Sequence, residues 1–437
     1  MKEIRLGICG LGTVGGGVLD LIKSNADRLC DQVGVPIKVV KIGSRSKKPL
    51  FNDEEISFYQ DVLLLADDPD IDIVLELIGG VDIAQELVRK AIINGKHVIT
   101  ANKALIASHG AELFSLAQKH SVSLRFEAAV AGSIPIVKVL RESLSSNKIS
   151  CVAGIINGTT NYILSEMALS ARSFSDILSE AQELGFAEAD PTFDIEGIDA
   201  GHKLVILASL AFGIPLSLDE LCVEGMSQIS IADLKFASEL GYRIKHLALA
   251  RLVDERLELS VHLALISEAH LISRVDGVGN AIFIQGDPSG ETLLCGAGAG
   301  AGPTASSVVS DVIDLARNLI QEQADQVKHL GFSTTAIKPR KLLTQDEIVA
   351  SWYLRIESED NSESISSITD ILTKRDISKQ TIVSKAIDTN SKKIEIVIIT
   401  NPSSAKVLFD AAEEISRLHS VFGSITKIRI EDLPSCT

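Results

Sequence analysis

The sequence predicts an α/β protein of several domains: a doubly wound parallel sheet first, an α+β middle, and a small βαββαβ unit at the end. Three observations lead there. Short apolar strands alternate with amphipathic helices over the first 130 residues, the pattern of parallel strands joined by crossover helices. Longer helices and alternating polar–apolar segments take over to about residue 302. The final stretch repeats strand, helix, strand, strand, helix, strand. A chain of 437 residues is also too long for one ordinary core.

The elements follow in order. Residues 4–9 form a short apolar strand, and Val14, Val18, Leu21 and Ile22 mark one face of the helix after it. Residues 37–42 are a second strand. Residues 71–78 read as a nearly continuous apolar strand ending in Gly79 and Gly80. A helix is expected over about 84–94 with Gly95 at its C-cap, then a strand over 97–100. The first domain is drawn at 1–130. A helix near 303–325 completes it, starting at Pro303 and carrying Val308, Val309, Val312, Ile313, Leu315, Ala316 and Leu319. The middle domain, read as the substrate domain, takes 131–302, and 330–348 reads as a linker. The last domain takes 349–432. There Trp352, Leu354 and Ile356 alternate as a strand, and Ile365, Ile368, Ile371 and Leu372 repeat as a helix. Strands near 382–388 and 394–400, a helix through Ala405, Leu408, Ala412, Ile415 and Leu418, and a strand over 425–430 complete a ferredoxin-like order.

Composition narrows the function classes. Apolar residues make up 46% and charged residues 23%, a globular rather than disordered balance. The net charge is −16 without a Lys/Arg-rich run, which argues against nucleic acid or an anionic membrane as partner. The longest uncharged apolar run, 204–218, is shorter than the ~18 residues of a membrane span and reads as a buried helix. The six cysteines are scattered without a Cys-x-x-Cys pair, and no secretory n-region is apparent, so a reduced, cytoplasmic protein is expected. The nine histidines show no ligand spacing.

The chemistry begins with Gly10, Leu11, Gly12, Thr13, Val14 and Gly15, placed between the first strand and its helix. Gly10 permits the turn, Gly12 admits a pyrophosphate close to the backbone, and Gly15 lets helix and strand pack closely. The phosphates would sit on free N–H groups at the helix start. This is the Rossmann-type arrangement for a dinucleotide; a purely structural turn is the plain alternative. The second strand runs into Ser44 and Arg45 where an acidic residue would bond a ribose 2′-OH, so the pair suits a 2′-phosphate and NADP over NAD. Arg45 is otherwise a solvated surface arginine. Lys103 follows the strand end at Thr100, at the edge of the sheet where ligands bind. It either contacts the nicotinamide ribose or substrate, or is an exposed lysine at a helix start.

Four later segments carry clusters. Residues 127–135, rich in small residues, contain one carboxylate and carbonyls suited to a hard cation, although a plain interdomain turn explains them more simply. Asn157, Gly158, Thr159, Thr160 and Asn161 form a polar run denser than helix capping requires, which suggests substrate contacts. Residues 185–203 hold Glu188, Asp190, Asp194, Glu196 and Asp199 ahead of Lys203. Asp199 and Lys203 share a helix face, and the apolar run after Lys203 sets it at the mouth of a buried helix, placed for proton transfer or paired in a surface ion pair. His202 reads as a packing residue. The glycine-alanine run 296–302 is either a connector or a second approach of backbone to cofactor.

Taken together, segments 10–15, 100–103, 127–135, 157–162, 188–203 and 300–305 resemble homoserine dehydrogenase over residues 1 to about 330, with 188–203 the most specific. The tail resembles an ACT domain, a small amino-acid-sensing module. The resemblance implies NAD(P)-dependent interconversion of L-homoserine and L-aspartate 4-semialdehyde in threonine, methionine and isoleucine biosynthesis. By the same resemblance, Lys203 transfers the proton at the substrate oxygen, Lys103 is a second active-site lysine, and Glu188 and Asp199 bind homoserine. Asp199 is counted with the catalytic set as well. Gly158, Thr159, Thr160 and Asp194 join the substrate pocket, and Gly185 and Gly302 contact the cofactor beside Lys103 and Arg45. Glu127, Val130, Gly132 and Ile134 match a sodium site, which overturns the plainer reading of that segment. A homodimer is implied, with pairing into tetramers left open, and threonine is the implied effector at the tail. The readings set against it are a nucleotide-binding regulatory protein without catalysis and a dehydrogenase of another amino-acid alcohol. Intact Lys103, Glu188, Asp199 and Lys203 favour the enzyme.

Overall fold

A computed structural model describes residues 3–46, 55–219, 221–322, 327–386 and 393–433. The chain opens β1 (Ile4–Cys9), α1 (Thr13–Ser24), α2 (Ala26–Val33), β2 (Ile37–Gly43), β3 (Ser57–Tyr59), β4 (Ile73–Glu76), α3 (Asp82–Ile93), β5 (His97–Thr100), α4 (Lys103–Lys119), β6 (Leu124–Arg125). It continues β7 (Lys148–Ile155), α5 (Gly158–Ser170), α6 (Phe174–Glu183), α7 (Ile198–Phe212), α8 (Ile231–Glu239). Two long hairpins follow, β8 (Tyr242–Val253) with β9 (Arg256–Ser267), and β10 (Gly279–Asp287) with β11 (Gly290–Ala297), and then α9 (Ala301–Ile320). The tail runs β12 (Val349–Glu359), α10 (Ser362–Lys374), β13 (Lys379–Ala386), β14 (Lys393–Thr400), α11 (Ala405–Ser416), β15 (Val421–Glu431).

The described residues fall into two compact units: 1–152, 201–219 and 279–340 in the first, and 153–200, 220–278 and 341–437 in the second. β7 and α7 each begin in one unit and end in the other.

The first unit is organised by a parallel sheet of order β3-β2-β1-β4-β5-β6. The order reverses direction at β1 and β4, where a doubly wound sheet opens a crevice at its carboxyl edge. Ile4, Leu6 and Ile8 of β1 and Ile73 and Leu75 of β4 are fully buried, as central strands covered on both faces must be. Ala305, Val308, Val312 and Leu315 of α9 join the same cluster, so the helix after the glycine run completes this core. α9 begins two residues before Pro303. A proline in the first turn removes only an N–H that has no partner within the helix.

The second unit holds a mixed sheet of order β8-β9-β15-β12-β14-β13. β8 and β9 pair antiparallel through Asp254 and Glu255, both at positive φ, the geometry that matches strand twist in a two-residue hairpin. β9 pairs parallel with β15, and the four tail strands are antiparallel to one another. The tail sheet is covered on both faces. Trp352, Leu354 and Ile356 pack with α10 and α11, while Tyr353, Val397 and Ile428 face Ile163, Met167, Leu234 and Phe236 from α5 and α8. Among the described residues no helix is long and apolar enough to cross a membrane.

Candidate active site

In the first unit, the loop after β1 turns into the crevice. Gly10 has φ +97, and a Cβ there would lie 2.7 Å from the Leu77 carbonyl oxygen, so the turn admits glycine alone. A Cβ on Gly15 would lie 1.9 Å from the Gly10 carbonyl oxygen, which explains how α1 starts directly on the loop. Gly12 differs: a Cβ there meets nothing within 4 Å. It is the N-cap of α1, no side chain caps that terminus, and the first turn holds no acid. The first N–H groups of α1 thus meet no capping side chain, an arrangement that suits pyrophosphate binding. Beside it lies a cavity of about 550 Å³ bounded by Gly10, Gly12, Ser44, Arg45 and the 77–83 segment. Arg45 is exposed at this rim, and no acid ends β2.

The far wall of the cavity is held by a chain of hydrogen bonds. Glu76, at the end of β4, accepts from the Ile78 N–H at 3.0 Å and from the Thr100 hydroxyl at 2.5 Å. Thr100 accepts from the Asn102 N–H at 2.9 Å. The Asn102 side chain then donates to the Gly80 carbonyl at 2.7 Å and caps α4 by accepting from Leu105 N–H at 3.1 Å. This fixes Lys103, half-buried at the first position of α4, at the carboxyl edge of the sheet. Burial pushes the Glu76 carboxyl up to about 7.

In the second unit, α5 starts at the polar run. Asn157 donates one amide N–H to Asp194 at 2.7 Å and the other to Asp199 at 2.8 Å. Its oxygen caps the helix by accepting from Thr160 N–H at 2.8 Å. The Thr159 hydroxyl donates to the Phe186 carbonyl at 2.6 Å, tying the helix start to the 185–190 segment, on which Gly185 and Glu188 are exposed. A Cβ on Gly158 would press to 3.1 Å of the Val278 carbonyl. Asp199 lies in the first turn of α7, and Lys203, half-buried, follows one turn later on the same helix.

Segment 127–135 belongs to the first unit. The Glu127 carboxylate accepts from the N–H groups of Val137 and Lys138, both at 2.9 Å, and the Glu127 N–H donates to Asp311 at 2.9 Å. Burial, then the nearby Asp311 charge, pushes Glu127 up to about 7, and burial pushes Asp311 up to about 6. Ala131 and Gly132 take positive φ, which turns successive carbonyls; that of Gly132 accepts from Ser307 at 2.7 Å. A Cβ on Gly132 would strike the Ala297 and Gly298 carbonyls at 2.6 Å. Oxygen donors, the Glu127 carboxylate and the turned backbone carbonyls, dominate here, a donor chemistry that suits a hard cation.

Comparison with known proteins decides the family. The family model for homoserine dehydrogenase matches residues 135–313, and that for the homoserine dehydrogenase NAD-binding domain matches 10–127. A homoserine dehydrogenase of Pseudomonas aeruginosa is 46% identical over 433 residues, covering 99% of this chain and all of the relative. The chain belongs to the homoserine dehydrogenase family. The crystal structure of a homoserine dehydrogenase from Thiobacillus denitrificans superposes with a TM-score of 0.92 at 45% identity, covering 99% of both chains. A hyperthermophilic archaeal homoserine dehydrogenase in complex with NADPH superposes with a TM-score of 0.60 at 27% identity, over 71% of this chain and 97% of that one. The protein is accordingly an NAD(P)-dependent oxidoreductase acting on a CH–OH group, interconverting L-homoserine and L-aspartate 4-semialdehyde.

In this chain the residues singled out from sequence divide between the units. Gly10 to Gly15, Arg45, Lys103, Glu127, Val130, Gly132, Ile134, Gly302 and Lys203 lie in the first. Gly158, Thr159, Thr160, Gly185, Glu188, Asp194 and Asp199 lie in the second. The structure gives Asn157 a specific part and adds Glu76. Asn157, in sequence one of five polar residues, joins the two aspartates. Glu76 escapes notice inside an apolar strand; the signal that marks it is a lone acid between Leu75 and Leu77.

Proposed function

We propose that Lys203 handles the proton at the substrate oxygen while Glu188, Asp194 and Asp199 hold the amino-acid substrate. The carrying observation is the acidic pair Asp194 and Asp199, tied through Asn157, with Asp199 one helical turn before Lys203. The nicotinamide, when bound, supplies or takes the hydride at the reacting carbon. The Lys203 ammonium stabilises negative charge as it develops on the aldehyde oxygen and donates the proton that makes the alcohol; in reverse it takes that proton back. Gly158, Thr159 and Thr160 shape the pocket, and Lys103 presents a second ammonium from the edge of the sheet.

Residues 10–15, with Arg45, Lys103, Gly185 and Gly302, are the cofactor contacts in this reading. Arg45 and Ser44, with no acid at the end of β2, favour the 2′-phosphate of NADP. Glu127 and the carbonyls of Val130, Gly132 and Ile134 would hold sodium, whose charge would offset the buried carboxylates. The division into 1–130 (with the helix at 303–325), 131–302 and 349–432 is proposed as nucleotide, substrate and regulatory domains. The tail, whose strands lie in the order β15-β12-β14-β13, supports the reading as a ferredoxin-like ACT unit with threonine as effector. A cytoplasmic homodimer, with or without pairing into tetramers, serving threonine, methionine and isoleucine biosynthesis completes the proposal.

The test is Lys203→Ala. kcat with aspartate semialdehyde falls by about 100-fold or more, while NADPH affinity and melting temperature stay at wild-type values. A rate within about threefold of wild type removes Lys203 from this role. Running the assay with NADPH against NADH, and with added threonine, reads cofactor preference and effector response together.

A further inference from the structure

We propose that Asn157 is a positioning residue of the substrate site, whose amide holds Asp194 and Asp199 as one anionic pair. The inference rests on the reading of those aspartates as substrate ligands. Asn157 is only 6% exposed and Asp199 3%. A side-chain amide offers two N–H donors and one acceptor oxygen. All three functions are used: one N–H goes to Asp194, the other to Asp199, and the oxygen takes the Thr160 N–H.

The fixed angle of the NH₂ group sets the two accepting oxygens roughly 5 Å apart. Two carboxylates at that spacing repel, more so where one is buried. The amide places a donor hydrogen on each, which keeps them together without neutralising either. A cation in the substrate can then meet both. The amide carries no charge of its own, so it aligns the two carboxylates without adding a cation to the pair.

The amide is itself firmly mounted. Asn161, one turn along α5, donates to the Val275 carbonyl at 2.9 Å and accepts from Lys245 at 3.2 Å. Ser165, another turn on, accepts from the Gly277 N–H at 3.0 Å. Residues 157, 161 and 165 lie on one helix face. The face that carries the bridge is therefore fastened to 275–277 over its next two turns, and the amide cannot drift with the helix end.

A capping residue alone would be replaceable. Serine and aspartate cap helices as well as asparagine, because each offers an oxygen to the first-turn N–H groups. Neither has an N–H to give. Asn157→Ser and Asn157→Asp thus keep the cap and delete the bridge, and Asn157→Asp adds a third carboxylate. Both variants are expected to melt within about 3 °C of wild type and to bind NADPH normally, since the glycine loop belongs to the other unit. KM for homoserine rises about tenfold or more in Asn157→Ser, with a smaller change in kcat, and kcat/KM falls further in Asn157→Asp. Wild-type KM in both variants, with only Asn157→Ala losing stability, would reduce Asn157 to a cap and overturn the proposal. Unfolding of both cap-preserving variants would overturn it equally, since the residue would then be structural. Asp199→Asn separates the two layers: if it leaves KM for homoserine unchanged, the assignment of the aspartates fails before the bridge is in question.

Discussion

Glu76 is 0% exposed, faces no cationic partner among its hydrogen bonds, and has its carboxyl pushed by burial from 4.5 to about 7. The folded chain keeps a proton that the unfolded chain releases near its ordinary value. Its contribution to stability is complete below about 4.5 and is lost as pH rises through about 7. Glu127 and Asp311 shift in the same direction while burial lowers His246 and His262, which act with the opposite sign, so a difference between two variants is needed to isolate Glu76. Glu76→Gln has no proton to lose. The stability of this variant relative to wild type is expected to rise between pH 5 and pH 8 by about 1–3 kcal/mol, read from urea unfolding at each pH. A constant difference across that range would mean that Glu76 is already ionised in the fold at low pH. The lone acid was legible in the sequence of β4; its hydrogen-bonded link through Thr100 to Asn102 was not, because those residues are neighbours only once β4 and β5 pair.

At the scale of elements, the three glycines of the loop after β1 do different things, and substitution separates them. Gly15 faces the Gly10 carbonyl oxygen at a distance no Cβ tolerates, so Gly15→Ala must move the helix off the strand. It is expected to destabilise the protein by about 2 kcal/mol or more. Gly12→Ala meets open space and keeps the wild-type melting temperature, yet it should weaken NADPH binding about tenfold, because the methyl occupies the approach to the uncapped α1 terminus. Thermal melts and a fluorescence titration with NADPH check both. Equal behaviour of the two variants would show that the loop has a single role. Periodicity located β1, α1, β2, α3, β5 and α9 to within a few residues, because their apolar positions repeat at 2 or 3.6. It did not separate the paired hairpins β8–β9 and β10–β11. Buried strands such as β8, with seven consecutive buried residues from Ile244 to Ala250, lose the alternation that would mark them.

Within the molecule, the tail is bound into its unit by charge as well as by apolar packing. Arg355 of β12 donates to Asp233 at 2.6 and 3.0 Å, and the Tyr353 hydroxyl adds a third bond at 3.1 Å. Asp233 is 0% exposed and closes the capping box of α8 with Ser230. Arg355→Ala would leave that carboxylate buried without its cation, and a loss of about 3–5 kcal/mol in urea unfolding is expected. Arg417→Ala, which breaks an exposed pair with Glu413 on α11, should cost under about 1 kcal/mol. Similar losses in both variants would refute the distinction. A buried cluster deepens the same junction: Arg429 of β15 meets Glu258 of β9 at 2.6 Å, and Glu431 meets Arg251 and His262.

The sequence by itself determined the class of this protein. Local spacing decides where strands and helices form and where glycine is obligatory; the loop at 10–15 indicated a dinucleotide-binding enzyme, and the motifs in 157–161 and 188–203 carried the resemblance that implied its substrate. It also marked the candidate site residues, since each sits in a short segment of unusual composition. What only the tertiary structure decided is which of them touch. Asn157 reaches Asp194 and Asp199 from 37 and 42 residues away, Glu127 meets Asp311 across 184, and β15 finds β9 as a parallel neighbour. Such pairings depend on chain closure and on burial shared between distant segments, and neither leaves a periodic trace in the segments themselves.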